Sequence, residues 1–312
     1  MNLLPISAVV PTLNRNLALA RMLESMARQS YQPLEILVID ASSTRDSEHL
    51  CKTGIEGLSS RVTYKKATEV GAAIQRNQGI ANASQDHILF IDDDIVFESD
   101  CIIRLWSAMQ SDAHLGGVSA MITNQHYSSP GVLSRSLFRM LHGRYESTYA
   151  GKCIGPALNI LPEDQPALEV VTAVEWLNTT CTLYRRTALP DPPFPEQFKG
   201  YSLMEDLALS LIVGRKWKLA NARTARIFHD SQPGGHKNDT TAIAKMELVN
   251  RHYVMTHVLG RNRLSDYAKL LLLELFGIVT PLVSLDYWLT LPSTLLGKCK
   301  GTVAILSRRN GP

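Results

Sequence analysis

The chain of 312 residues lacks the sequence features of several common protein classes. Its five cysteines are odd in number and include no CxxC pair, which argues against a disulfide framework and against a structural zinc site. The formal net charge is only +3, and no run of Lys and Arg is interleaved with aromatic residues, so no nucleic acid is expected as a partner. No GxGxxG follows the first predicted strand, which argues against a dinucleotide-dependent oxidoreductase.

Signals for secretion and for membrane insertion are weak as well. The N-terminal segment MNLLPISAVVPT has no basic region and only a short apolar run, so we interpret it as a first strand and expect the chain to stay in the cytoplasm. No uncharged apolar run reaches the roughly 20 residues that a membrane-spanning helix requires. What the chain does have is a hydrophobic content of 45%, which is ample for one or two globular domains.

Strand and helix patterns alternate over the N-terminal part of the chain. Apolar runs predict strands at 6–11, 36–40, 62–64, 88–92 and 118–122, and helical spacing predicts helices at 17–26, 72–83 and 102–109. Continuous apolar strands separated by helices are typical of an α/β fold whose mostly parallel sheet is covered by helices on both faces. Ligands bind beyond the carboxyl ends of such strands, where Asp40 and Asp92 lie.

The segment ILFIDDDIVFE, residues 88–98, places three carboxylates at the end of one strand. Asp92, Asp93 and Asp94 would repel one another unless they were solvated or neutralised. A divalent cation with oxygen ligands is the usual neutraliser, and such a cation in turn suits a diphosphate. Because alternate residues at a strand end point to the same side, we expect Asp92 and Asp94 to share a face and Asp93 to point elsewhere. The alternative interpretation is an acidic turn that points into water.

Several short motifs resemble, in order and spacing, those of the family 2 glycosyltransferases. They are PTLNR after the first strand, VIDASS after the second, QRNQG in the next helix and IDDD after the fourth strand. The match continues through VEWLNTTCTLYRR, GYSLMEDLALSL and IFHD, over roughly the first three quarters of the chain. The resemblance implies a GT-A fold at 1–258, with a nucleotide-sugar-binding half at 1–122 and an acceptor-binding half at 123–258.

The resemblance assigns donor binding to residues in the first of these halves. They are Pro11, Thr12, Arg15, Asp40, Arg76, Asp92 and Asp93. Within this set, Asp40 is expected to accept a hydrogen bond from the base, and Arg76 to lie near the base or the diphosphate. Two residues depart from the family pattern, Ala41 and Ser42 after the second strand, and they leave the identity of the base open.

The resemblance also implies a divalent metal ion, either Mn2+ or Mg2+, with Asp94 as the main ligand and with Asp92 and His229 completing the set. Taken alone, His229 follows an apolar segment, and such a histidine is more often a core or interface residue than a metal ligand. The loop after it contains Gly234 and Gly235, which suit a mobile lid over the diphosphate.

Inverting transfer to a hydroxyl requires a second acidic site, separate from the metal. The segment MEDLALSL places Glu205 and Asp206 at the start of a helix that we expect to be amphipathic, with Leu207, Leu211 and Ile212 on one side. The helix amino terminus favours an ionised carboxylate. The resemblance makes Asp206 the catalytic base and Glu205 the residue that orients it or contacts an acceptor hydroxyl. On their own, both acids are equally consistent with ordinary stabilising residues of a first helical turn.

Residues 259–312 form an apolar C-terminal segment that we expect to be helical. Its apolar stretches are interrupted by Glu274 and Asp286 and are flanked by basic residues, namely Lys298, Lys300, Arg308 and Arg309. This pattern favours a segment that lies on the inner leaflet of the membrane, a surface that the basic stretch SRSLFRMLHGR at 134–144 would also contact. The alternative is a helical hairpin that packs on the protein or on a second copy in an oligomer.

Together these patterns predict a metal-dependent inverting glycosyltransferase, cytoplasmic and peripheral at the inner face of the cell membrane. Its expected donor is a nucleotide-diphosphate sugar, with a UDP-sugar favoured, and its expected acceptor is a hydroxyl of a lipid-linked or polysaccharide glycan. One alternative is a non-catalytic nucleotide-sugar-binding or scaffold protein of the same fold. Another is a phosphatase of the haloacid-dehalogenase type, in which Asp92 and Asp94 would be nucleophile and acid. Element order argues against the phosphatase, since that family places its DxD strand near the start.

Overall fold

A computed structural model describes residues 2–231 and 239–309, except for the side chains of Val283, Leu285, Asp286, Arg308 and Arg309. The predicted lid glycines, Gly234 and Gly235, lie outside the described residues. The chain divides into two compact units, one formed by Met1–Tyr127 with Leu161–Gln232 and the other by Ser128–Ile160 with Pro233–Pro312. We call them the sheet unit and the helical unit. The domain boundary at residue 258 stays a prediction.

The helices and strands follow one another along the chain as expected for an α/β protein. The strands are β1 (Asn2–Thr12), β2 (Tyr31–Asp40), β3 (Arg61–Lys66), β4 (His87–Ile91), β5 (Ile95–Phe97), β6 (Leu115–Ile122), β7 (Cys153–Ile154), β8 (Leu158–Asn159), β9 (Val171–Val174), β10 (Cys181–Arg185) and β11 (Lys218–His229). The α-helices are α1 (Asn16–Ala27), α2 (Asp46–Thr53), α3 (Ala72–Asn82), α4 (Cys101–Gln110), α5 (Val132–His142), α6 (Glu205–Val213), α7 (Thr240–Tyr253), α8 (Leu264–Val279) and α9 (Leu285–Arg309).

One sheet forms the framework of the sheet unit. Its strand order is β3-β2-β1-β4-β10-β6-β11-β5, and β9 pairs with β11. The first four strands are parallel, whereas β10 runs antiparallel between β4 and β6. β11 is parallel to β6, and β5 is antiparallel to β11. The carboxyl ends of β1, β2, β4, β6 and β11 therefore lie along the same edge of the sheet.

All the strands and helices predicted from the N-terminal patterns are present, with slightly different ends. The patterns do not predict α2 and β5, because α2 contains few apolar residues and β5 has only three residues. The expectation of an amphipathic α6 is wrong. Leu207, Ala208 and Leu209 are all fully buried on successive sides of that helix, whereas Leu211 and Ile212 are only half-buried.

The strands at the centre of the sheet are buried on both faces, which explains their continuous apolar runs. The helix α3 approaches this sheet closely because position 79 is glycine, and a Cβ there would overlap the side chain of Val9. The amide of Gln75 on α3 donates to the carbonyl oxygens of Thr12 at 3.0 Å and Ile39 at 2.6 Å. These contacts place the next residue, Arg76, at the carboxyl edge of the sheet.

A network of charged side chains joins α7, α8 and α9 in the helical unit. Arg251 on α7 forms ion pairs with Glu247 at 2.8 Å and with Glu274 on α8 at 3.2 Å. Lys298 on α9 pairs with the same two acids at 2.8 and 2.6 Å. Glu274 therefore faces α7 and α9 instead of interrupting the outer face of α8. Within the described ranges, no helix is both long enough and apolar enough to cross a membrane.

Candidate active site

Three carboxylates lie in the turn between β4 and β5, at the carboxyl edge of the sheet. The turn is fixed by backbone hydrogen bonds from Asp92 N to Thr180 O at 3.0 Å and from Asp230 N to Asp94 O at 2.8 Å. β11 pairs with β5 so that His229 lies opposite Ile95, directly after the turn. This pairing brings the end of β11 to the acidic turn.

The structure brings Asp92, Asp94 and His229 together, and one ligand atom from each lies within 4.8 Å of the others. The Nε2 atom of His229 is 3.2 Å from Oδ1 of Asp94, and its Nδ1 atom is 3.2 Å from Nε2 of Gln125. The backbone of His229 is held by Asn124 through two further hydrogen bonds. Two carboxylates and an imidazole form a donor set that fits Mn2+ or Mg2+. These three side chains are the candidate metal ligands.

Asp93 points away from that cluster and into the protein. Its carboxylate accepts a hydrogen bond from the hydroxyl of Thr12 at 2.6 Å. One nitrogen of Arg15 lies 3.3 Å from Asp93 and 3.1 Å from Asp94, so it bridges the two acids. Burial raises the pKa of Asp93 to about 6, although Thr12 and Arg15 act in the opposite direction. Thr12 and Arg15, which the sequence places against the nucleotide, thus also hold the acidic turn in position.

Asp40 lies at the end of β2 and is fully buried. Its Oδ1 atom accepts hydrogen bonds from the backbone N–H of Ser42 at 2.8 Å and from the Ser42 hydroxyl, and its Oδ2 atom accepts one from Tyr64 at 3.2 Å. The neighbouring Pro11, at the end of β1, is buried too. Any contact of Asp40 with a base would share its oxygens with Ser42 and Tyr64.

Arg76 lies between the acidic turn and the start of α6. Its Nη2 atom is 2.6 Å from Oδ1 of Asp92, and its Nη1 atom is 3.3 Å from Oε1 of Glu205. Burial alone would lower the pKa of this guanidinium, but the charges of Asp92 and Glu205 outweigh burial and raise it. The buried Nε atom has no hydrogen-bond partner, and the guanidinium carbon lies 5.8 Å from the ring centre of Phe194. Arg76 is therefore a buried cation that joins two acidic sites.

Glu205 and Asp206 open α6, as the sequence predicts. The carboxylate of Asp206 accepts a hydrogen bond from the backbone N–H of Leu207 at 2.7 Å. Burial raises the pKa of Asp206 to about 6, and burial together with the charge of Asp206 raises the pKa of Glu205 to about 8. Both acids of α6 therefore bind a proton more tightly than exposed carboxylates do.

Sequence patterns miss the loop that leads into α6. Gly71, directly before α3, pairs with Gly200 through an isolated bridge, and a Cβ on Gly71 would lie 2.8 Å from Gly200 N. Both glycines have positive φ angles, +150° and +67°. After this pair come Tyr201, whose pKa is raised by burial and by Glu205, and the buried Ser202. The only local signal is glycine at both positions, and it does not indicate that the two are partners.

A family model matches the part of the chain that carries the acidic turn. The model of glycosyl transferase family 2 matches residues 7–150, which include the acidic turn and Arg76. The matched segment, just under half of the chain, is similar to this family.

Two curated relatives illustrate the extent of the match. Glycosyltransferase GlyA of Streptococcus pneumoniae is 31% identical over 114 residues, which are 36% of this chain and 16% of GlyA. The PGL/p-HBAD biosynthesis glycosyltransferase of Mycobacterium bovis is 28% identical over 138 residues, 43% of this chain and 54% of that protein. The chain thus spans less than two thirds of the length of either relative.

Solved structures confirm the GT-A fold that the sequence predicts. The mannosyltransferase PcManGT of Pyrobaculum calidifontis, in complex with GDP-Man and Mn2+, superposes with a TM-score of 0.55 over 96% of this chain and 75% of its own. TarS 1–349 of S. aureus, in complex with UDP-GlcNAc, superposes with a TM-score of 0.57 over 95% of this chain and 79% of its own. Both are 15% identical to the chain, so this likeness concerns the fold.

Proposed function

We propose that the protein is a metal-dependent inverting glycosyltransferase, which moves a sugar from a nucleotide-diphosphate sugar to a hydroxyl acceptor. The observation that carries the proposal is the presence of two acidic sites linked by one buried cation. Asp92 belongs to the candidate metal ligands and Glu205 to the acidic pair on α6, and Arg76 contacts both, at 2.6 and 3.3 Å. Inverting transfer needs such a separation, because the leaving diphosphate and the attacking hydroxyl lie on opposite sides of the sugar.

The donor side of the site would be held by the acidic turn. Asp92, Asp94 and His229 are the residues that would bind a divalent cation, which neutralises the charge of a departing diphosphate. Arg15 contacts Asp93 and Asp94 and is itself partly exposed, so it has donors left for the nucleotide.

The acceptor side would use Asp206 as the base. Its carboxylate takes the proton of an acceptor hydroxyl while the hydroxyl oxygen forms a bond to the anomeric carbon. The bond from that carbon to the diphosphate oxygen breaks, and its electron pair leaves with the nucleotide diphosphate. A raised pKa of about 6 keeps Asp206 ionised at neutral pH and makes it a stronger base than an exposed carboxylate. Glu205, which contacts Arg76 at 3.3 Å, orients its neighbour or the acceptor.

For the substrates, we favour a UDP-sugar as donor and a lipid-linked or polysaccharide glycan as acceptor. Support for a nucleotide sugar comes from relatives of the same fold, one bound to GDP-Man with Mn2+ and one bound to UDP-GlcNAc. The lipid-linked acceptor is supported by the exposed apolar residues of the helical unit, which would suit a location at the inner face of the cell membrane.

A donor panel tests the proposed function. The purified protein is incubated with UDP-, GDP-, CMP- and dTDP-sugars, with and without Mn2+, and slow donor hydrolysis is measured beside thermal stabilisation. We expect a metal-dependent response to one nucleotide. Asp206→Asn should lose turnover and keep donor binding, whereas the exposed Asp46→Asn should keep both.

The same panel separates the alternatives. Donor binding without any turnover in the wild-type protein would favour the non-catalytic binding or scaffold protein. A trapped aspartyl-phosphate on Asp92 would instead favour the phosphatase of the haloacid-dehalogenase type, and its absence would dispose of that alternative.

A further inference from the structure

An apolar stripe runs along the outer face of α8 in the helical unit. Leu264, Ala268, Leu271, Leu275 and Val279 recur at spacings of three and four residues, so they share one face of the helix. All are exposed, with Leu264 at 89%, Leu271 at 60% and Leu275 at 49%. A contiguous exposed apolar face of this length marks an interaction surface, because single exposed apolar residues are common but a stripe is not.

The stripe carries no negative charge, although α8 contains two acids. Asp266 caps the helix, since its carboxylate accepts a hydrogen bond from the backbone N–H of Arg263 at 2.9 Å. Glu274 points to the other side of α8, where it pairs with Arg251 and Lys298. An acid on the outer face would oppose contact with an anionic surface, and both acids are held elsewhere.

The helix α5 packs beside α8 and exposes two arginines. Its Leu137 and Leu141 pack with Leu273 of α8 in one hydrophobic cluster, so the two helices are neighbours. α5 contains no acidic residue, and its Arg135 and Arg139 are exposed. The helix also exposes three apolar side chains, Val132, Leu133 and Met140. Cations beside exposed apolar side chains are typical of helices that lie in a membrane interface.

A basic pocket of about 220 Å3 opens where α5 ends and α8 begins. Its lining includes the cations Arg261 and Lys269 and one acid, Asp266. The ring of His142, also in the lining, lies 3.3 Å from Glu146. Arg261 donates to the carbonyl of Gly155, and Lys269 donates to the carbonyl of residue 141 at 2.9 Å. Both cations have further donors beyond these bonds. The pocket therefore offers several donors to a phosphate group beside the apolar stripe.

We propose that α5 and α8 form a surface that docks the protein on an anionic lipid bilayer. The stripe enters the boundary of the acyl chains, Arg135 and Arg139 meet the headgroups, and the basic pocket receives a lipid phosphate. This inference deepens the proposed function and rests on it, because a lipid-linked acceptor lies in the membrane that this surface would bind. A second copy of the chain is a poorer occupant, since a symmetric pairing of this face would bring the arginines of both copies together without a matching acid.

Vesicle sedimentation of the full chain tests this surface. Vesicles of phosphatidylcholine alone are compared with vesicles that also contain phosphatidylglycerol. We expect binding to the anionic vesicles, weakened about tenfold or more in the double variant Leu271→Gln with Leu275→Gln. Arg139→Glu and Lys269→Gln should each weaken binding several-fold and reduce its dependence on salt.

Matched variants on the sheet unit serve as controls. Leu34→Gln with Val170→Gln replaces two exposed apolar residues, and Arg45→Glu reverses an exposed charge, so both should bind vesicles as the wild type does. Circular dichroism and thermal unfolding check that every variant is folded. Equal loss of binding in the controls and in the α8 variant, or no vesicle binding by the wild type, would overturn the proposal.

Other outcomes identify a different occupant. A dimer that the α8 variant abolishes, with no vesicle binding, would overturn the proposal in favour of a second copy. Thermal stabilisation by inorganic phosphate, again with no vesicle binding, would assign the pocket to free phosphate and overturn it as well. Donor hydrolysis without vesicles is the separate readout of the proposed function. Donor hydrolysis should be unchanged in the α8 variant. If the wild-type protein hydrolyses no donor, that result would count against the proposed glycosyltransferase function and not against the proposed membrane surface.

Discussion

Arg76 on α3 lies 2.6 Å from Asp92 at the end of β4, although only 3% of the arginine side chain is exposed. A buried cation in contact with a candidate metal ligand has two effects. It compensates the negative charge of the acidic turn, and through its second contact, with Glu205, it ties that turn to the start of α6.

Replacing this cation should destabilise the protein. Arg76→Met leaves Asp92 and Glu205 without their shared partner, and we expect a loss of about 3–5 kcal/mol in the free energy of unfolding, measured by urea titration. Arg76→Lys restores the charge, but a single ammonium group cannot reproduce the contacts that two guanidinium nitrogens make with Asp92 and Glu205. It should therefore recover only part of the lost stability. The exposed Arg45→Met is the matched control. If Arg76→Met had the free energy of unfolding of the wild type, the contacts of Arg76 with Asp92 and Glu205 would contribute nothing to stability.

Removing a metal ligand should abolish the response to metal. Asp94→Asn takes a charged oxygen out of the set formed with Asp92 and His229, so we expect donor affinity to fall at least about tenfold and thermal stabilisation by Mn2+ to disappear. Chelation of the wild-type protein with EDTA should have the same effect. Asp46→Asn, an exposed acid of the same unit, should respond to Mn2+ as the wild type does. An unchanged Mn2+ response in Asp94→Asn would contradict the assignment.

Turnover should rise with pH through about 6. The base must be ionised, and burial raises the pKa of Asp206 to about 6, so kcat is expected to fall about tenfold for each pH unit below that value. A pH–rate profile measured under donor saturation checks this. Glu205→Gln should keep this acid limb, because the limb belongs to Asp206. A kcat independent of pH between about 5 and 7 would exclude Asp206 as the base.

Low pH should reduce the free energy of unfolding of the protein through protonation of Glu35 in the sheet unit. This buried carboxylate accepts hydrogen bonds from Ser7 at 2.6 Å, from the N–H of Ser84 at 2.7 Å and from Arg61 at 2.5 Å. Burial alone would raise its pKa, but these bonds lower it from 4.5 to about 2. Its contribution to stability is thus complete above the unfolded-state pKa of 4.5 and is lost as the pH falls towards 2.

The variant Glu35→Gln separates this contribution from other acids. We expect it to lose about 1–3 kcal/mol of the free energy of unfolding at neutral pH and to show a flatter dependence of stability on acid. Urea unfolding at several pH values measures both quantities. The exposed Glu56→Gln should show the same dependence of the free energy of unfolding on pH as the wild type. If Glu35→Gln also shows the wild-type dependence, Glu35 is not the origin of the acid sensitivity.

The sequence predicts the local elements of the sheet unit well because their apolar runs are long and end in turns. It also anticipates that Asp92 and Asp94 lie on one side and Asp93 on another, since alternation at a strand end follows from backbone geometry. It fails for α6, whose apolar residues surround the helix. Periodicity detects a helix with one buried face and not a helix buried on several sides.

The contacts of Arg76 could not be predicted from the sequence. A motif places the arginine near the donor, but its contacts with Asp92 and Glu205 join residues separated by 16 and 129 positions. The pairing of Gly71 with Gly200 likewise joins residues that are distant in sequence. Such contacts depend on how strands are ordered in the sheet, which no short segment encodes.

By itself the sequence determined the succession of strands and helices, the acidic turn, the acids at the start of α6 and the resemblance of its motifs to one family. Each of these features depends on a few neighbouring residues. Only the tertiary structure decided that His229 reaches Asp94 and that Glu274 faces inward, which leaves an uncharged outer stripe on α8. Both outcomes depend on the packing of elements distant in sequence. Local chemistry fixes which groups are available, and packing decides which of them meet.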